Sequence, residues 1–317
     1  MHFLSSPVSP GDIIIWPEFA LTPNAGVFSS PYTWDFYYWN PNCSYTNGLP
    51  WVSLRLEGGT YNNGSVEATG DGAGFGDFPA KFETGRGYLV AYSSSWSGTT
   101  HTFSGTLNTG EKSRTITKNT LVQDGNAWNL VGNPYPSAID WAAASGWNRG
   151  NVAVNVSSGT GYDYWTITSS GNYGVCNSAN PGAATLGTSR YIAPMQAFFI
   201  KAASTGTFSM NDNVRVHSSQ TWLKSAEQQP GILRIELHTD ANAYYDEMIV
   251  QFDPSFNDGG SSKFGSLYPE APELYAIKDG SNFSISSYTA FNPEMVVRLG
   301  AKCGVAGNYT ITIQVSI

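Results

Sequence analysis

The chain has 317 residues, of which 41% are hydrophobic, 14% aromatic and only 13% charged. That apolar share excludes wholesale disorder, and the length accommodates two or three domains with separate cores. Sixteen Lys and Arg against 24 Asp and Glu leave a net charge of −8 and no basic cluster. This balance excludes nucleic acid and anionic membrane surfaces as partners, and leaves glycans and protein surfaces open.

Gly, Ser, Thr and Asn fill the space that charge vacates, with 10 Trp and 18 Tyr among them. This composition suits short strands and tight turns. The expected fold is all-β: tandem sandwich units of jelly-roll or immunoglobulin-like build. No apolar run approaches the roughly 18 residues that cross a bilayer, and residues 1–15 lack the basic and apolar regions of a signal peptide. No membrane insertion is expected, and if the parent protein is exported, this chain is expected to be an internal piece of it.

From the N-terminus, the first dense feature is the aromatic run Tyr32–Trp39, with Trp51 nearby. Sugar faces stack on exposed Trp and Tyr rings while amide or carboxylate groups bind the hydroxyls. Trp34, Asp35, Tyr38, Trp39 and Trp51 are accordingly candidate ligand-binding residues. Alternation places one face of such a strand in a core and leaves the other decorated. The Gly-rich stretch Ala68–Phe78 follows. It lacks GxGxxG spacing, so it reads as a surface loop, in which Asp71 and Asp77 are candidate Ca²⁺ ligands. Asp253, Asn257 and Asp258 form a second, similarly sparse candidate Ca²⁺ set. No other cofactor is expected.

Strand signals continue at Gly87–Tyr92 and Thr115–Thr117. The segment WNLVGNPYPSAIDW, Trp128 to Trp141, then combines a strand with a rigid turn. Pro134 and Pro136 hold Asn133 and Tyr135 extended. Ser137 is placed to cap a helix, with Asp140 three residues on. The spacing predicts a short helix over residues 138–145, ended by Gly146. Asn133, Pro134, Tyr135, Pro136, Ser137 and Asp140 thus form a structural motif.

An internal repeat accompanies it. Residues 2–9 resemble 129–137, GRGYLVAY from Gly85 resembles MQAFFIKA from Met195, and TFSGTLN from Thr102 resembles TFSMNDN from Thr207. Two related units are expected at 1–120 and 121–226. A third, at 227–317, is built from strands such as Ile232–His238, Glu247–Phe252 and Tyr309–Val315. The last alternates Ile311, Ile313 and Val315 with Thr310, Thr312 and Gln314, as a half-buried strand does.

Cys43, Cys176 and Cys303 have no metal-ligand spacing and read as small buried thiols. His2, His101, His217 and His238 show no HExxH pattern, and no GxSxG elbow occurs. Nothing marks a catalytic residue.

Several segments together resemble a recurrent region of secreted and cell-surface proteins of Bacteroidetes bacteria exported by the type IX secretion system. They are FLSSPVS, RGYLVAY with TFSGTLNTG, WNLVGNPYPSAIDW, IAPMQAFFIKA followed by Arg215 and His217, DEMIVQFDPSFN and SSKFG…APELYAI. The resemblance covers nearly the whole chain and implies a β-sandwich build and an extracellular or surface location. It supplies no catalytic residues. The expected function is a non-catalytic adhesion or display module. A carbohydrate-binding module and a glycan-degrading enzyme are the alternatives.

Overall fold

The computed structural model describes residues 2–8, 35–42, 51–53, 55–57, 60–62, 82–91, 103, 105–119, 127–155, 161–217 and 231–316. The fold is all-β. Cα proximity groups the chain into two compact units, Met1–Val152 with Ile192–Ser218, and Ala153–Tyr191 with Ser219–Ile317.

In chain order the first strands are β1 (His2–Leu4), β2 (Asp35–Trp39), β3 (Trp51–Ser53), β4 (Arg55–Glu57), β5 (Thr60–Asn62), β6 (Tyr88–Ala91) and β7 (Lys112–Ile116). They are followed by β8 (Trp128–Gly132), β9 (Ala138–Asp140), β10 (Trp147–Asn148), β11 (Asp163–Ile167) and β12 (Tyr173–Asn177). Next come β13 (Tyr191–Ile192), β14 (Ala197–Lys201), β15 (Gly206–Met210) and β16 (Arg215–Val216). The C-terminal strands are β17 (Ile232–Thr239), β18 (Tyr245–Phe252), β19 (Gly259–Ser262), β20 (Glu273–Lys278), β21 (Ser281–Tyr288), β22 (Arg298–Lys302) and β23 (Tyr309–Ser316).

The first unit is organised by the repeat. Strand β1 pairs antiparallel with β6 through Phe3↔Leu89 and Leu4↔Tyr88. Strand β8 pairs with β14 through Leu130↔Phe199 and Val131↔Phe198, the equivalent positions. The ends of the two pairs are then exchanged. Leu4 bridges Gln196, and Val131 bridges Arg86. Ser5 N–H donates to Met195 O at 2.8 Å while Gly132 N–H donates to Gly85 O at 2.9 Å. Gly85 and Met195, again equivalent, both have left-handed backbones (φ 73° and 60°).

The expected boundary near residue 120 does not separate these halves. Strand β7 pairs with β15 along its length, and β15 also pairs with β10. Residues 1–152 and 192–218 therefore form one interleaved unit.

The short helix expected over residues 138–145 does not form. Ala138 and Ile139 pair with Val216 and Arg215 as β9, and Ala138, Ile139 and Asp140 are all buried. Asp140 instead turns the chain by accepting a bond from Ala142 N–H at 2.9 Å. Tertiary strand pairing overrides local helix preference here.

The second unit contains the β11–β12 hairpin and a sheet in the order β22-β20-β21-β18-β17-β23, with β19 also on β21. One face of that sheet buries Ile235, Leu237, Met248, Val250, Leu274, Ala276 and Tyr288 as a single cluster. Strands β18 and β21 run parallel, whereas β17 lies antiparallel to both β18 and β23.

The exchanged crossing leaves no room for a side chain at Gly132, where an added Cβ would lie 2.1 Å from Ser5 Cβ. Overpacking of this kind costs about 1–3 kcal/mol. Gly132→Ala should lower the urea midpoint accordingly, and Ser5→Gly in the same chain should restore part of the loss. An unchanged midpoint in Gly132→Ala would contradict the crossing.

Candidate interaction site

The aromatic residues singled out in the sequence are placed inside the first unit. Tyr37, Tyr38 and Trp39 are all at most 7% exposed, so both faces of β2 are buried. Trp39 meets Trp51 edge-on at 5.0 Å and Phe199 at 4.9 Å, and Trp51 is likewise buried. Trp39 Nε1–H donates to Trp128 O at 2.7 Å, and the Arg86 guanidinium lies 4.0 Å over the Tyr38 ring. The rings of Tyr38, Trp39 and Trp51 are core, and at Tyr37–Trp39 β2 shows no exposed outer face. Asp35 has its backbone in β2. Trp34, Asp71 and Asp77 lie outside the described residues.

The NPYPS segment is a corner held from within. Asn133 Nδ2 donates to Ser137 O and Ala193 O, both at 2.9 Å, and its Oδ1 accepts from Tyr135 N–H at 3.0 Å. Ser5 Oγ donates to Asn133 O at 2.5 Å, and Asn108 Nδ2 donates to Pro134 O at 2.8 Å. The Tyr135 ring is fully buried, and its hydroxyl lies 2.7 and 2.9 Å from the carbonyls of Gly110 and Met210. Burial, reinforced by Asp212, pushes that phenol above its usual range. Pro136 carries the chain to Ser137, whose hydroxyl takes a bond from Arg215 Nε–H at 3.0 Å instead of capping a helix. Asn133, Tyr135 and Ser137 each tie this corner to a segment distant in sequence.

The buried charges of the second unit are similarly engaged. Lys263 Nζ contacts the Asp246 carboxylate, which also accepts from Leu274 N–H at 2.6 Å. Arg234 Nη1 donates to Glu247 Oε1 at 2.8 Å and to Ala184 O at 3.0 Å. Asp163 accepts from Asn155, Asn177 and Ser261. In the second carboxylate set, Asp253 accepts from the Ser255 hydroxyl at 2.6 Å, and Asp258 lies 3.5 Å from Lys278. Cys176 is buried but Cys303 is exposed, unlike the buried thiol expected there. Cys43 lies outside the described residues.

Part of what the second unit presents to solvent is apolar. An open groove of about 450 Å³ is lined by Leu233, Ile235, Val250, Phe252, Phe291, Met295, Val297, Leu299 and Val315. Phe252 stacks on Tyr288 at 5.9 Å and meets Phe291 edge-on at 5.6 Å. The groove continues the buried face of β17 outward onto β23. Ile313 sits opposite Ile235, and Val315 opposite Leu233. Yet Ile311, Ile313 and Val315 are 53%, 60% and 65% exposed, and Phe291 is 68% exposed. Period-two alternation marked β23 correctly as a strand with an apolar face, but not as the half-buried strand expected: residues 310–315 are all exposed. It did not reveal that this face is uncovered, and the loop residues Phe291 and Met295 carried no periodic signal at all.

Comparison with known proteins gives one family model, described as a domain of unknown function (DUF8693), which matches residues 25–316. No curated protein and no solved structure matches. No helix among the described residues is long and apolar enough to cross a membrane.

Two measurements test these assignments. Lys263→Met should cost about 3–5 kcal/mol at neutral pH, because it strands a buried carboxylate. Burial already holds Asp246 above its ordinary value of 3.8, against the pull of Lys263. A carboxyl with a raised folded pKa favours folding below its unfolded pKa and loses that contribution as pH climbs through the folded one. The deficit of Lys263→Met in urea titrations should therefore be smallest in acid and grow toward neutrality. In the groove, Ile235→Ala should cost about 2–4 kcal/mol, whereas Ile313→Ser, on the same face but exposed, should shift stability by about 0.5 kcal/mol or less. Equal losses would mean that the β23 face is covered.

Proposed function

The chain belongs to this family of unassigned function, and on that footing we propose that it is a non-catalytic interaction module of an exported, surface-associated protein. It serves adhesion or display by contacting other polypeptide surfaces through the apolar groove of its second unit. The observation that carries the reading is the uncovered row Ile311, Ile313 and Val315 beside Phe291. Large exposed apolar patches on soluble domains mark interaction sites. The resemblance of the NPYPSAIDW and FLSSPVS segments to type IX-exported Bacteroidetes proteins supports the surface location.

Catalysis has less support. The buried carboxylates of the second unit accept bonds from backbone and side-chain donors that fix the fold. The carbohydrate-binding alternative relied on Trp34, Asp35, Tyr38, Trp39 and Trp51, and the rings of Tyr38, Trp39 and Trp51 are buried.

Beads coated with the chain should adhere to intact cells of the source organism, and beads carrying Ile313→Ser with Val315→Ser should not. Adhesion that survives both substitutions would count against the groove. Glycan-array binding retained by the same double variant would favour the carbohydrate alternative. Protease treatment of intact cells should also degrade the protein, and digestion only after lysis would refute the surface location.

A further inference from the structure

The two ends of the second unit's sheet are built differently. Strand β22 ends one side and carries Arg298 and Lys302, both exposed. Charged side chains on an edge are the usual protection against pairing with another chain. Strand β23 ends the other side and has one partner strand, β17, among the described residues. It is eight residues long, pairs with β17 without a register shift, and contains no charge and no proline. Its residues 310–315 are exposed on both faces. A long, flat, uncharged edge is a template for an added strand.

The pattern of β23 specifies which strand fits. Reversed about Ile313, the sequence maps onto itself in chemical character. Ile311 falls opposite Val315, Thr312 opposite Gln314, and Thr310 opposite Ser316. Cross-strand partners project to the same face. An antiparallel copy of β23 would therefore place its own apolar row beside the uncovered one and extend the groove. It would place its Thr and Gln residues beside their counterparts on the other face.

We propose that β23 pairs antiparallel with β23 of a second copy of this chain, about a twofold axis at Ile313, joining the two sheets into one. The proposal goes beyond the groove reading: it concerns the edge of β23, which borders the groove, and it names the partner there. A twofold contact requires the same patch on both copies to be self-complementary, and the reversed pattern of β23 meets that requirement.

Sedimentation of the purified 317-residue chain should show mass rising from one to two chains as concentration increases to about 100 µM. Ile313→Lys and Ile313→Glu should each remain monomeric, with circular dichroism and melting temperature equal to those of the wild type at concentrations where it is monomeric, since the residue is exposed. Mixing them should restore the dimer, because opposite charges then face each other at the axis. Opposed residues in such a pair lie about 4.5–5.5 Å apart at Cα, within the span a disulfide bridges. Ile313→Cys in a Cys303→Ser background should therefore cross-link to itself under mild oxidation, and Thr310→Cys should not. A wild type that stays monomeric over the whole range overturns the proposal, as does a dimer that persists in Ile313→Lys. The bead assay separates the two readings. A monomer whose beads still adhere through the groove loses the self-pairing and keeps the interaction role.

Discussion

The first unit depends on one close crossing. Strands β1 and β8 each form a hairpin-like pair within their own repeat, and each then donates its next backbone N–H to the other repeat. For that to happen, residues 5 and 132 must approach within contact of each other's backbone. Glycine at 132 makes the approach sterically feasible, and the Ser5 hydroxyl fills the remaining space by bonding to Asn133 O. Asn133 then fixes the following corner with its side-chain amide, and Tyr135 anchors that corner to the segments around Gly110 and Met210. The hydrogen bonds reach backbone groups that would otherwise be buried without partners, which is where such bonds contribute most.

The second unit solves a different problem. Its sheet buries Ile235 and Leu237 of β17 on one face, while Ile311, Ile313 and Val315 of the neighbouring β23 are exposed. Buried ion pairs on β17 and β18, Arg234 with Glu247 and Asp246 with Lys263, hold the centre in register. Toward β23 the burial ends and the apolar pattern does not. An edge with such a pattern is costly to leave in water and hazardous for aggregation. Its persistence over three consecutive inward positions is therefore informative about use.

Much of the strand content was legible in the sequence. Ile232–His238, Glu247–Phe252 and Ala197–Ala202 alternate or cluster apolar residues between turn formers, and each lies within or almost within an observed strand. The repeat was legible because the pairing it encodes needs equivalent side chains at equivalent positions. The 138–145 segment was misread, since its helix signals are local while its fate is set by pairing with Arg215 and Val216, far along the chain. The aromatic run misled for a related reason. Tyr38, Trp39 and Trp51 have the chemistry of a sugar platform, but Phe199 and Trp128 are brought against them by strand pairing that no local pattern announces.

The exchange of strand ends also bears on when the first unit becomes a folded object. Leu4 bridges Gln196, and Ser5 bonds to Met195, so the N-terminal strand cannot complete its contacts until the chain beyond residue 195 exists. Contacts of such sequence separation must overcome a large loop-closure entropy before they stabilise anything, which makes folding slow and late. During synthesis, the pairing of β1 with the segment around residue 195 therefore forms only after that segment has been made. The same interlock that closes the unit delays it until its last segment, Ile192–Ser218, has been made.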